Sequence, residues 1–145
     1  MPKAFASTVV DADAETVWRR IRDFGALADW HPGIADSAVD DGRPGDEAGV
    51  VRTLHLADGA EIRERLVSIS DDERSYAYVF VSAPFPVQNY HSTIRVTPVT
   101  DGNRAFVAWH GSFDCDTEEA ATWIETFGDG VYMGGLRALR DSFRT

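Results

Sequence analysis

The chain has 145 residues, 43% hydrophobic and 26% charged, which suits one globular domain spanning 1–145 and excludes low complexity and disorder. A formal net charge of −10, with acids spread along the whole sequence, argues against nucleic acid or anionic membrane as partner, since both select basic surfaces. Cys115 is the only cysteine, so no internal disulfide forms, and with no apolar run of signal-peptide or bilayer-spanning length the expected location is cytoplasmic.

Ala4 to Val10 is rich in β-branched residues and reads as a strand. Asp13 is a suitable N-cap for a helix in which Val17, Trp18, Ile21 and Phe24 recur at helical spacing, with Gly25 expected to end it. Ala26 to Trp30 reads as a second short helix, stopped at His31-Pro32-Gly33 because the residue before proline avoids helical geometry.

From Ile34 the hydrophobic period changes to two. Ile34 to Val39 is a short strand, and Val50 to Leu56 and Ile62 to Ile69 form a hairpin around Ala57-Asp58-Gly59. Tyr76 to Val81 is a strand interrupted by Pro84-Phe85-Pro86. Tyr90 to Pro98 and Arg104 to Asp114 are long strands joined at Asp101-Gly102. Thr117 to Phe143 returns to helical period, with Thr117 as its cap and Ile124, Phe127, Val131, Ala138 and Leu139 on one side. Gly128, Gly130, Gly134 and Gly135 within it predict a kink, or space left for something lying against the helix.

The order is strand, two short helices, about six antiparallel strands and a long C-terminal helix, an α+β arrangement. The long helix alone is able to cover one face of the sheet, so the gap between them becomes a packed core or a cavity. A three-residue turn in the first hairpin sets Leu54 opposite Ile62 and Arg52 opposite Glu64. These share their parity with Leu56 and Leu66, which predicts an inward Arg52–Glu64 pair in an apolar face. In the last hairpin Ile94 falls opposite Trp109, Val96 opposite Val107 and Tyr90 opposite Phe113, all facing inward, while Tyr76, Tyr78 and Phe80 share one parity on the strand between.

The four histidines, His31, His55, His91 and His110, show no metal-ligand spacing, so no metal and no cofactor are expected. Parity puts the last three on the outer face. His31, in the loop bordering the expected cavity, is the acid/base candidate, with Glu64 beside it. No P-loop, GxGxxG or GxSxG element occurs, which removes nucleotide-dependent and serine-hydrolase chemistry from consideration.

Val17-Trp18, Trp30-His31-Pro32, Gly59 with Glu64-Arg65-Leu66, Tyr78, Asn89-Tyr90 and Val107-Ala108-Trp109 resemble the bacterial polyketide cyclase/dehydrase-like group of the START-like (SRPBCC) superfamily along essentially the whole chain. That resemblance implies a helix-grip fold: a curved antiparallel sheet of about seven strands wrapped on a long C-terminal helix, with two short helices between strands 1 and 2, and a ligand cavity. The expected function is binding of an apolar or amphipathic small molecule, lipid or polyketide-like. The expected walls are Trp30, Leu54, Leu66, Tyr78, Phe80, Tyr90, Trp109, Phe113, Phe127 and Val131, with Arg52 and Glu64 orienting the ligand. A cyclase/dehydratase-type enzyme using His31, Glu64 or a tyrosine, and an interaction module with a filled cavity, are the alternatives. Monomer and homodimer both remain open.

Overall fold

A computed structural model describes residues 1–144. Strand β1 (Lys3–Val10) leads into helix α1 (Ala14–Ile21), where Asp13 accepts hydrogen bonds from the Thr16 N–H at 3.2 Å and the Thr16 hydroxyl at 2.6 Å. Val17, Trp18 and Ile21 are buried, and the Trp18 indole N–H donates to Asp71 at 2.8 Å, tying α1 to the turn after the fourth strand. The helix stops earlier than the apolar spacing suggests. Asp23 is extended and its side chain accepts the Gly25 N–H, so Phe24 does not close α1 but opens a 3-10 segment, Phe24–Asp29. Gly25 is therefore not the terminator of α1.

The strands β2 (Ile34–Val39), β3 (Val51–Leu56), β4 (Glu61–Ser70), β5 (Ser75–Ser82), β6 (Gln88–Val99) and β7 (Arg104–Asp114) join β1 in one antiparallel sheet of order β1-β7-β6-β5-β4-β3-β2. Register follows the turns. The β3–β4 turn carries Gly59 at φ +89°, a left-handed position that glycine occupies without cost, and pairs Leu54 with Ile62 and Arg52 with Glu64. The β6–β7 turn, with Gly102 at φ +90°, pairs Ile94 with Trp109 and Val96 with Val107. The expected Tyr90–Phe113 pairing is displaced, because the register shifts between Gln88 and His91. There Asn89 takes φ +55° and its amide donates to Asp114 at 2.8 Å. Both aromatic rings still face inward.

The C-terminal helix is not uniform. After a 3-10 turn, Thr117–Glu119, it runs as α2 (Ala120–Glu125), a π-helical stretch Thr126–Met133, and α3 (Gly134–Ser142). Asp116, not Thr117, holds the N-cap position, with no side-chain cap bond. π-Helices are rare beyond a single bulge and collect at functional sites. Five-residue spacing in this stretch sets both Phe127 and Tyr132 toward the sheet, with Gly135, Leu136 and Leu139 following on that face. Trp123, four residues before Phe127, packs on it with ring centroids 5.9 Å apart, so Ile124 lies one position round and is 38% exposed rather than inward. The helix packs against β1 and β7, and α1 closes over β6 and β7. The architecture is the helix-grip fold.

Candidate functional site

Between sheet and C-terminal helix lies a partly open cavity of about 180 Å³. Its floor is the inward face of β3 and β4, with Leu54, Leu56 and Ile62 beside the two charged residues. Tyr78 and Phe80 of β5, Tyr90 of β6 and Trp109 of β7 form the aromatic side, and Phe127, Gly130 and Val131 of the π stretch form the roof. Leu27, His31, Gly33, Ile34 and Phe85 complete the lining.

Arg52 is completely buried and Glu64 is 4% exposed. The Arg52 Nε and Nη2 both lie 2.8 Å from Glu64 Oε1, and Nη1 donates to the Phe24 carbonyl at 3.0 Å. The guanidinium carbon sits 3.9 Å from the Phe24 ring centroid and 4.8 Å from that of Tyr78, so aromatic faces replace part of its lost hydration. Burial alone would depress the arginine, but Glu64, and to a lesser degree the tyrosines, hold it charged. Burial pushes the Glu64 carboxyl above the usual carboxylate range, and Arg52 opposes that push. Among the described residues nothing bonds to Glu64 Oε2.

His31 is 4% exposed, with both ring nitrogens engaged. Nε2–H donates to the Val131 carbonyl at 2.7 Å and Nδ1 accepts the Gly33 N–H at 3.0 Å, an arrangement that specifies the neutral Nε2–H tautomer. Burial, aided by the nearby Arg52 charge, lowers its pKa. The ring meets Trp109 edge-on at 5.9 Å and rests against Gly135, where a Cβ would come within 2.5 Å of it. His31 thus clamps the loop before β2 to the C-terminal helix while lining the cavity.

The tyrosines are also bonded. The Trp109 indole N–H is shared between the Tyr78 hydroxyl and Ser92 Oγ, each at 3.1 Å, and Ser92 donates to the His110 carbonyl at 3.0 Å. The Tyr90 and Tyr132 hydroxyls bond each other, and Gly111 leaves room for the Tyr132 hydroxyl that any Cβ would occupy. Burial raises all three phenols, Tyr132 to about 12, so each is a neutral hydroxyl.

Of the residues expected at the walls, Arg52, Leu54, Glu64, Tyr78, Phe80, Tyr90, Trp109, Phe127 and Val131 line the cavity together with His31. Trp30, Leu66 and Phe113 do not. All three are buried, but Trp30 packs behind Trp109 with centroids 5.7 Å apart, Phe113 meets Phe127 edge-on at 5.2 Å, and Leu66 is enclosed within the core. Parity specifies the face of the sheet and not the position along it. Leu56 and Ile62 carried the right parity signal. Leu27 and Ile34 carried none, Gly130 was marked only among the helix glycines that leave space, and Phe85, between two prolines, was legible only as a strand break. His55, His91 and His110 lie on the outer face, as their parity implies.

A larger groove of about 510 Å³ runs along the outside, where β5 and β6 part beyond Val79. It shares Phe80, Phe85 and Tyr90 with the internal cavity. The charged pair lies only in the inner space.

The structure is similar to that of XoxI from Bacillus cereus, with 38% identity, a TM-score of 0.88, and coverage of 99% of this chain and 96% of that one. It is also similar to a Bacillus thuringiensis protein at 38% identity and TM-score 0.83, covering 97% and 98%. Thalictrum flavum norcoclaurine synthase, in complex with dopamine and hydroxybenzaldehyde, shares the fold at 17% identity and TM-score 0.76, covering 97% and 84%. Among curated proteins none matches the sequence. The sequence model described as polyketide cyclase / dehydrase and lipid transport matches residues 1–144. The chain belongs to that family, within the START-like superfamily.

Proposed function

We propose that this protein binds a hydrophobic or amphipathic small molecule in the space between the sheet and the C-terminal helix, with Arg52 and Glu64 orienting it. One observation carries the reading: the wall of an otherwise apolar cavity holds a buried carboxylate with one oxygen committed to arginine and the other unengaged. A buried ion pair that leaves Arg52 Nη2 without a hydrogen-bond partner and one carboxylate oxygen unbonded is costly in a core built for stability alone, and it is useful where a ligand completes the bonding. The fold supports the same reading by analogy, since norcoclaurine synthase is recorded with small aromatic molecules bound. An enzymatic version, a cyclase/dehydratase-type reaction in the same space, rests on Glu64 more than on His31. The raised carboxyl has a free oxygen facing the cavity, whereas both nitrogens of His31 are occupied by backbone.

The test is native mass spectrometry of gently purified protein, followed by denaturing extraction. A co-purifying apolar compound, displaced when Val131→Phe fills the cavity, supports the binding reading. Protein that is empty, and whose melting temperature responds to no apolar probe, counts against it.

A further inference from the structure

The size of the cavity narrows the ligand class. An apolar protein cavity of about 150 Å³ takes up benzene, and a water occupies about 30 Å³ of liquid. At about 180 Å³, this one has room for a single six-membered ring and roughly one further heavy atom. A fused polycycle or a long acyl chain exceeds this space and would either protrude from it or displace side chains.

The walls agree with a ring. Tyr78, Phe80, Tyr90, Trp109 and Phe127 present ring faces and edges, with Phe80 and Tyr90 stacked at 3.9 Å. The hydrogen-bonding groups restrict the substituent. The Tyr90 hydroxyl is engaged with Tyr132, and the Tyr78 hydroxyl accepts from Trp109, which leaves Glu64 Oε2 as an open acceptor and Arg52 Nη2 beside it without a hydrogen-bond partner. Arg52 already balances the Glu64 charge at 2.8 Å. A ligand ammonium would therefore bring an uncompensated charge into a site lined mainly by apolar side chains, and a ligand carboxylate would face Glu64 itself. A neutral donor leaves the site uncharged.

We infer that the molecule held between sheet and helix is a single aromatic ring carrying one neutral hydrogen-bond donor, of the phenol type, whose hydroxyl donates to Glu64. The inference rests on the small-molecule-binding reading above and specifies its ligand class.

The experiment is isothermal titration of the full chain with phenol, toluene, benzylamine, 2-naphthol and palmitate, with backbone amide NMR shifts locating each bound probe. Phenol is expected to bind saturably at the cavity, about tenfold tighter than toluene, and tighter than benzylamine, 2-naphthol or palmitate. Glu64→Gln is expected to narrow the gap between phenol and toluene, and Val131→Phe to abolish phenol binding. The comparison among probes on unaltered protein decides the matter even where Glu64→Gln fails to fold. Phenol no tighter than toluene overturns the role of Glu64. Tighter binding of benzylamine overturns the neutral donor, and tighter binding of 2-naphthol or palmitate overturns the single ring; each leaves the small-molecule reading standing. If no probe binds, toluene included, both readings fall together.

Discussion

Arg52 and Glu64 face each other across β3 and β4, and their burial makes the two residues energetically inseparable. Removing one partner leaves an uncompensated buried charge at a cost of about 3–5 kcal/mol, while replacing both with apolar residues is often neutral. Arg52→Leu is therefore expected to lower unfolding stability in urea by that amount, and Arg52→Leu combined with Glu64→Leu to recover most of it. A single-variant loss below about 1 kcal/mol would mean the pair is solvated. His31 gives a pH-dependent signature. Its folded pKa lies below the unfolded value of about 6.5, because burial disfavours the imidazolium. Above that pH it is neutral in both states and contributes nothing. As pH falls below it, the unfolded chain takes up the proton first, so stability declines down to the folded pKa. Wild-type protein should lose stability relative to His31→Gln as pH falls below about 6.5, by at most about 1.4 kcal/mol per pH unit. Parallel curves for the two proteins would show that the ring protonates freely in the fold.

At the scale of the element, the C-terminal helix combines a π stretch with four glycines whose surroundings differ. A Cβ on Gly135 would press on the His31 ring, which its two hydrogen bonds prevent from moving aside. Nothing lies within 4 Å of a Cβ built on Gly130. Glycine-to-alanine in an open helix position stabilises by about 0.4–1 kcal/mol, whereas overpacking costs about 1–3 kcal/mol. Opposite signs are thus expected in thermal unfolding: Gly130→Ala gains stability and Gly135→Ala loses it. The loss at Gly135 should shrink in a His31→Ala background, as in a double-mutant cycle between contacting groups. Equal effects at the two positions would contradict the clamp between His31 and the helix.

At the scale of the molecule, the internal cavity and the outer groove are separated by the aromatic wall they share, Phe80, Phe85 and Tyr90. Phe85 sits on the Pro84–Pro86 loop, where β5 and β6 have stopped pairing, and it packs on Phe80, Trp123 and Phe127 at 6.1, 5.7 and 5.5 Å. With proline on either side its neighbours offer no N–H to a strand ladder, and the Phe85 carbonyl accepts only the local Val87 N–H at 2.8 Å, so side-chain packing holds this part of the wall. Phe85→Ala is expected to join the two spaces and to raise the association rate of a cavity probe about fivefold or more in stopped-flow mixing. An unchanged rate would place the entrance elsewhere.

Local rules determined the architecture. Turn chemistry at Gly59 and Gly102 specified the register of two hairpins, and period-two alternation specified the inward face, including the unusual placement of Arg52 and Glu64 on it. Alternation carries no information about depth, so Trp30, Leu66 and Phe113 face inward yet lie behind the cavity wall. The partner of His31 is 100 residues away in sequence, and its bond reaches a backbone carbonyl, which no residue pattern marks. The π stretch likewise depends on packing across the sheet, since helical spacing alone placed Ile124 inward. Sequence therefore decided which surfaces meet. How much space remains between them, and which carboxylate oxygen opens into it, was decided only when sheet and helix packed together, because a cavity is a property of the contacts that both sides fail to make.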